Sequence, residues 1–184
     1  MKQIYIILTH TGTMLSKIIK GYTGDEYSHV SVALDSELKE MYSFGRLHPY
    51  NPFIAGFVHE YIDKGTFKRF KKTRTRVIEL EISDEQYLKL KELIEKMQIK
   101  KEQYKFNLLG IVAAGFNRNR KKENYFYCAE FVKYAIEESD IHIELPELIK
   151  PESFKKMHVG KEIYNGLLRD YRYAFNKQLS RIGE

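Results

Sequence analysis

From Cys128 to Glu138 the apolar side chains fall on one stripe: Cys128, Phe131, Val132, Ala135 and Ile136 occupy i, i+3, i+4, i+7 and i+8. A helix with one apolar stripe is stable only when that stripe lies on another layer of structure. The best candidate for that layer is SHVSVAL, residues 28–34. Val30, Val32 and Leu34 alternate there with His29, Ser31 and Ala33, the period of a strand. A helix laid on strands is therefore the minimum this chain must build.

The rest of the sequence enlarges that unit. Residues 3–9 form an apolar strand, and residues 11–20 suit a short helix ended by Gly21 and Gly24. The turn Asp35-Ser36-Glu37 leads into 38–45 as the hairpin partner of 28–34. Two prolines make 46–54 a loop, and β-branched and aromatic residues suggest strands at 55–61, 66–71 and 74–82. Ser83 with Gln86 forms a capping box that opens a helix to about Met97. A helix is expected over 106–115, and Pro151 suits the first turn of another. Residues 161–173 fit a strand or a helix. The order of elements predicts an α+β fold, with an antiparallel sheet packed against helices, in a single domain spanning 1–184.

Cys128 is the only cysteine of the 184 residues, so neither a disulfide framework nor a cysteine zinc site can form. Only Ile4 to Leu8 run apolar before Thr9, too short for a signal-peptide core, and the longest weakly apolar stretch, Leu108 to Phe116, is too short to span a bilayer. A cytoplasmic location is the expectation. The formal charge is +6, and Lys68, Arg69, Lys71, Lys72, Arg74 and Arg76 form one basic run. Arg118, Arg120, Lys121 and Lys122 form a second, and outside these runs acids outnumber bases. Such runs are solvated edges and loops, or they engage an anionic polymer or membrane surface. Nothing in them marks specific nucleic-acid recognition.

Cys128 opens its helix, where free backbone N–H groups and the positive end of the dipole stabilise a thiolate. The thiolate is the nucleophilic form, and the same N–H groups suit the oxyanion made when it attacks a carbonyl. Tyr125, Phe126 and Tyr127 just before it would shield the site from water. A thiolate also needs a base, and His29 is the informative histidine: it lies in a regular strand but off the large-apolar face. Its face-mates Ser31 and Ala33 are small enough to let a helix approach. Either residue alone is equally an ordinary structural side chain. Glu130 could reach a backbone group or the substrate but reads first as a solvated helix position, and the segment from His10 to Thr13 reads as a cleft border or a helix cap. Histidines and carboxylates are too dispersed for a metal site, no phosphate-binding glycine loop is present, and no cofactor is expected.

SHVSVAL followed downstream by YFYCAEFV resembles the permuted papain-like cysteine peptidase and amidase superfamily. These are circularly permuted relatives of NlpC-type bacterial cell-wall endopeptidases, and lecithin–retinol acyltransferases share the architecture. The histidine strand precedes the nucleophile helix in that superfamily, as it does here. The opening strand and THTGTMLSKIIKG are similar as well, so the likeness covers roughly residues 3–140. It implies Cys128 as nucleophile, His29 as general base, and a polar residue on the next strand that orients the imidazole. That third position falls on Ser43, in EMYSFG, where the family carries His, Glu, Asn or Asp. A three-residue turn at 35–37 puts Ser43 across from His29; a two-residue turn at 36–37 puts Phe44 there, with Tyr42 and Glu40 on the same face. Glu60 is the alternative from elsewhere in the chain. The implied activity is hydrolysis of a peptide or isopeptide amide, including cell-wall peptides, through an acyl-enzyme. Lipid acyl transfer or ester cleavage is the second expectation, and a noncatalytic module binding through 68–76 and 118–122 is the third.

Overall fold

The computed structural model describes residues 1–12, 25–107, 110 and 122–182. Its centre is a six-stranded antiparallel sheet in the order β4-β3-β2-β1-β5-β8. The strands are β1 (Lys2–His10), β2 (His29–Ala33), β3 (Met41–His48), β4 (Asn51–Glu60), β5 (Arg74–Ile82) and β8 (Lys161–Leu167). Two short strands, β6 (Lys105–Phe106) and β7 (Tyr125–Phe126), pair in parallel outside it. The helices are α1 (Gly65–Arg69), α2 (Asp84–Ile99), α3 (Cys128–Glu138), α4 (Pro151–Lys155) and α5 (Tyr171–Ile182).

The sheet is covered on both faces. Alternation in β1 sends Ile4, Ile6 and Leu8 into one cluster, with Val30, Val32 and Phe44 from the sheet and Phe131, Val132 and Ile136 from α3. Tyr5 and Ile7 point the other way, to Phe67 of α1 and Tyr171 of α5. A strand buried on both faces reads as a continuous apolar run, which is why Ile4 to Leu8 show no polar interruption. The α3 stripe lies on β2 and β3 as its spacing requires, and its boundaries match the expectation. The Ser83–Gln86 capping box closes in both directions at the start of α2. Among the described residues no helix is long and apolar enough to cross a membrane.

Three local expectations are corrected. Residues 46–54 are not a loop: β3 continues to His48, turns at Pro49-Tyr50, and β4 begins at Asn51. The chain tolerates Pro52 there because β4 is an edge strand, where a missing backbone donor costs no ladder bond. Residues 66–71 are not a strand but contain α1, entered through Gly65 at φ +53° and anchored by buried Phe67. Residues 161–173, which fit a strand or a helix by sequence, hold both: β8, a 3-10 turn and the start of α5. The hairpin turn after β2 is longer than two or three residues. The Asp35 carboxylate accepts from the backbone N–H groups of Glu37, Lys39 and Glu40, and Leu38 sits at φ +54°. Most of the expected helix at 11–20 and of 106–115, and the basic residues Arg118, Arg120 and Lys121, lie outside the described residues.

Candidate active site

Cys128 is the first residue of α3 and is 6% exposed. Its helix start is anchored from the neighbouring segment. The Glu130 carboxylate accepts from the Tyr127 backbone N–H at 3.1 Å and from Asn107 Nδ2 at 3.0 Å. Glu130 is thus a capping residue, not a solvated one, and it places an acid at the positive end of α3. Asn107 is 5% exposed, and its Oδ1 accepts from the Gly110 N–H at 2.8 Å. Around the thiol, Phe126 packs on Phe44 with ring centroids 5.3 Å apart, and Tyr127 donates from its hydroxyl to the Ile149 carbonyl at 2.7 Å.

The Cys128 thiol lies near enough to the His29 imidazole to raise its affinity for a proton. Strand alternation turns Val30 and Val32 toward α3 and His29 away from it. A mid-strand residue on that far side would be separated from α3 by the sheet; His29 reaches the thiol because it is the terminal residue of β2. Ser31 and Ala33 therefore do not make room for α3, as the sequence suggested. Ala33 packs in the cluster on the opposite face, and Ser31 belongs to the site.

The carboxylate that meets His29 is that of Glu60, the last residue of β4. His29 Nε2 lies 3.0 Å from Glu60 Oε1 and 3.2 Å from Oε2. Ser31 Oγ donates to Glu60 Oε2 at 2.5 Å and lies 3.4 Å from His29 Nε2. With Nε2 held by the carboxylate, Nδ1 is the ring nitrogen left for the thiol. The carboxylate is 10% exposed and the imidazole 19%, so solvent screens the pair weakly.

Ser43 does not fill this role. The pairing Val32↔Tyr42 and Ala33↔Met41, continued along the strands, sets Ser43 beside Ser31 and Gly45 beside His29. Both turn lengths weighed from the sequence gave the wrong register, because the Asp35-capped turn is longer. Ser43 is fully buried, and its hydroxyl donates to the Val30 carbonyl at 2.7 Å. Tyr42 lies on the other face, stacked on His59 with centroids 4.6 Å apart, and the Glu40 side chain is exposed. Gly45, absent from the sequence reading, lets the strand approach closely: a Cβ there would sit 3.2 Å from His29 Cε1 and 3.4 Å from Glu60 Oε1, and the ring would have to give by a few tenths of an ångström. A glycine isolated in a strand is the available signal for such close approach. Thr9, paired with His29 from β1, is buried, and its hydroxyl has no hydrogen-bond partner among the described residues.

Burial pushes the His29 imidazolium toward losing its proton, but the Glu60 charge, the hydrogen bonds to Cys128 and Glu60, and the Cys128 charge together outweigh it. The net result holds the pKa well above the ordinary 6.5. A base whose folded pKa is raised adds stability that is complete below 6.5 and disappears as pH climbs through the folded value. The gap in urea midpoint between the wild type and His29→Gln should therefore be widest near pH 6 and narrow toward alkaline pH. A gap that widens with pH would contradict the charged pair.

Comparison of the chain with protein-family models, with curated proteins and with solved structures finds no match in any of the three.

Proposed function

We propose that this chain is a thiol hydrolase that cleaves an amide, peptide or isopeptide, through a Cys128–His29–Glu60 relay, on a circularly permuted papain-like arrangement. The observation that carries the reading is the His29 imidazole bonded to the Glu60 carboxylate at 3.0 Å, with the Cys128 thiol near enough to act on the ring. The chain order supports it as well, with the histidine strand ahead of the nucleophile helix.

His29 accepts the Cys128 proton, and Glu60 offsets the positive charge that the ring acquires. The thiolate attacks the carbonyl carbon, forming a C–S bond while the carbonyl π pair moves to oxygen. Backbone N–H groups at the start of α3 favour that negative charge. Collapse expels the amine, which takes the proton from His29, and leaves a thioester on Cys128. Water then gives a proton to His29, attacks the thioester, releases the acid and restores the thiol. A carboxylate in the third position stabilises the imidazolium more strongly than the serine expected from the sequence. Cleavage or transfer of a lipid acyl ester is the second reading, favoured by Leu47, Tyr50 and Ile54, which are exposed on the hairpin that also carries Gly45 and Glu60.

The test is the rate of Cys128 alkylation by iodoacetamide from pH 5 to 9, in the wild type and in His29→Ala; the single cysteine makes the signal unambiguous. A free thiol, with a pKa of about 8.5, reacts slowly near pH 6. Rapid labelling at pH 6, slowed at least about tenfold in His29→Ala, is the expected result. Slow labelling that rises only above pH 8 and ignores the substitution would remove the relay and leave a noncatalytic binding fold.

A further inference from the structure

The β3–β4 turn and α1 carry a surface that the relay does not use. Tyr50, at the tip of the turn, is 80% exposed, and Leu47 and Ile54 on its two strands are 46% and 45% exposed. The Arg69 guanidinium lies over the Tyr50 ring at 4.2 Å and over Phe70 at 5.0 Å, and its Nη1 donates to the Pro49 carbonyl at 2.5 Å. Arg46 approaches the same Phe70 ring at 5.9 Å. Two guanidiniums are thus gathered on one aromatic side chain at the base of an apolar tip. No aspartate or glutamate occurs from Arg46 to Gly56 or from Lys64 to Arg76, while Lys64, Lys68, Lys71 and Lys72 add further positive charge.

We propose that this face docks the protein onto an anionic phospholipid bilayer. Exposed apolar side chains and a tyrosine at a tip, with two arginines packed at its base and further lysines but no acid in the flanking segments, match the interface between headgroups and acyl chains. A nucleic acid or polyphosphate would use the charge but leave Leu47 and Ile54 without a function. The face adjoins the relay along two elements. Gly45, beneath the His29 ring, is followed directly by Arg46 and Leu47. Phe67, whose ring centroid is 6.5 Å from that of His29, is followed by Lys68 and Arg69. Docking would therefore hold the Cys128 site close to the membrane surface.

The experiment is co-sedimentation of the full chain with phosphatidylcholine vesicles, with and without phosphatidylserine, for the wild type, Arg69→Glu, Lys72→Glu and Tyr50→Ser. Each basic residue near an anionic surface strengthens partitioning roughly fivefold, so either charge reversal should weaken binding by about tenfold or more. Tyr50→Ser should weaken it at salt concentrations high enough to screen the charges. Binding requires no thiol chemistry, so failure here leaves the relay standing, and iodoacetamide labelling at wild-type rates verifies that the variants are folded. Absence of binding to phosphatidylserine vesicles overturns the proposal. So does binding that ignores Tyr50→Ser and is matched by polyphosphate, which would assign the face to a soluble polyanion.

Discussion

Cys128→Ser is expected to abolish turnover of any amide or ester that the wild type cleaves, by at least about 10³-fold, while leaving the urea midpoint nearly unchanged. The two side chains are close in volume, but a hydroxyl in the place of the thiol holds its proton far more tightly than His29 can draw it away. Cys128 lies within the α3 cluster at 6% exposure, so Cys128→Ala is the companion variant if serine disturbs the packing. A panel of activated esters and short peptide amides, followed with both variants, decides the matter. Turnover that survives in both would exclude Cys128 as nucleophile, whatever reaction the protein performs.

Glu60→Gln carries the second large effect. Glutamine keeps the shape and one acceptor but removes the charge that opposes the burial of His29, so the imidazolium loses its main support and its pKa falls. Turnover should drop by about 10²- to 10⁴-fold, and iodoacetamide labelling should slow most below pH 7. Ser43→Ala is the informative contrast. It removes the hydroxyl bond to the Val30 carbonyl, at a cost of about 1 kcal/mol, and should leave the labelling profile against pH where it was. If Ser43→Ala moved that profile and Glu60→Gln did not, the third position would return to the strand beside His29.

Much of the architecture was legible because short-range periodicity reports burial directly. The α3 stripe, the alternation of β2 and the two-sided apolar run of β1 each dictate a face, and those faces packed as expected. Failures fell where no face is dictated. In 66–71 the two phenylalanines fit a strand or a helical turn, and burial of Phe67 against the second cluster chose the helix. In 46–54 the prolines suggested a loop, but an edge position relieved the strand of the bond that proline cannot make.

Cys128 and His29 were identifiable because chemistry restricts each to few residue types and local pattern places each on an element. By itself the sequence determined the helix that presents the thiol and the strand that carries the imidazole. Tertiary structure alone decided which carboxylate meets that imidazole. Glu60 lies 31 positions from His29 in the chain, and the two meet only across the assembled strands. The Asp35-capped turn sets the register that puts Gly45, not Ser43, beside His29 and leaves space above it for the Glu60 side chain. The turn runs from Asp35 to Lys39, two residues longer than the one that would set Ser43 across from His29; the difference keeps the face of β3 but slides its pairing two positions along β2, which is why an error in the turn became an error in the site.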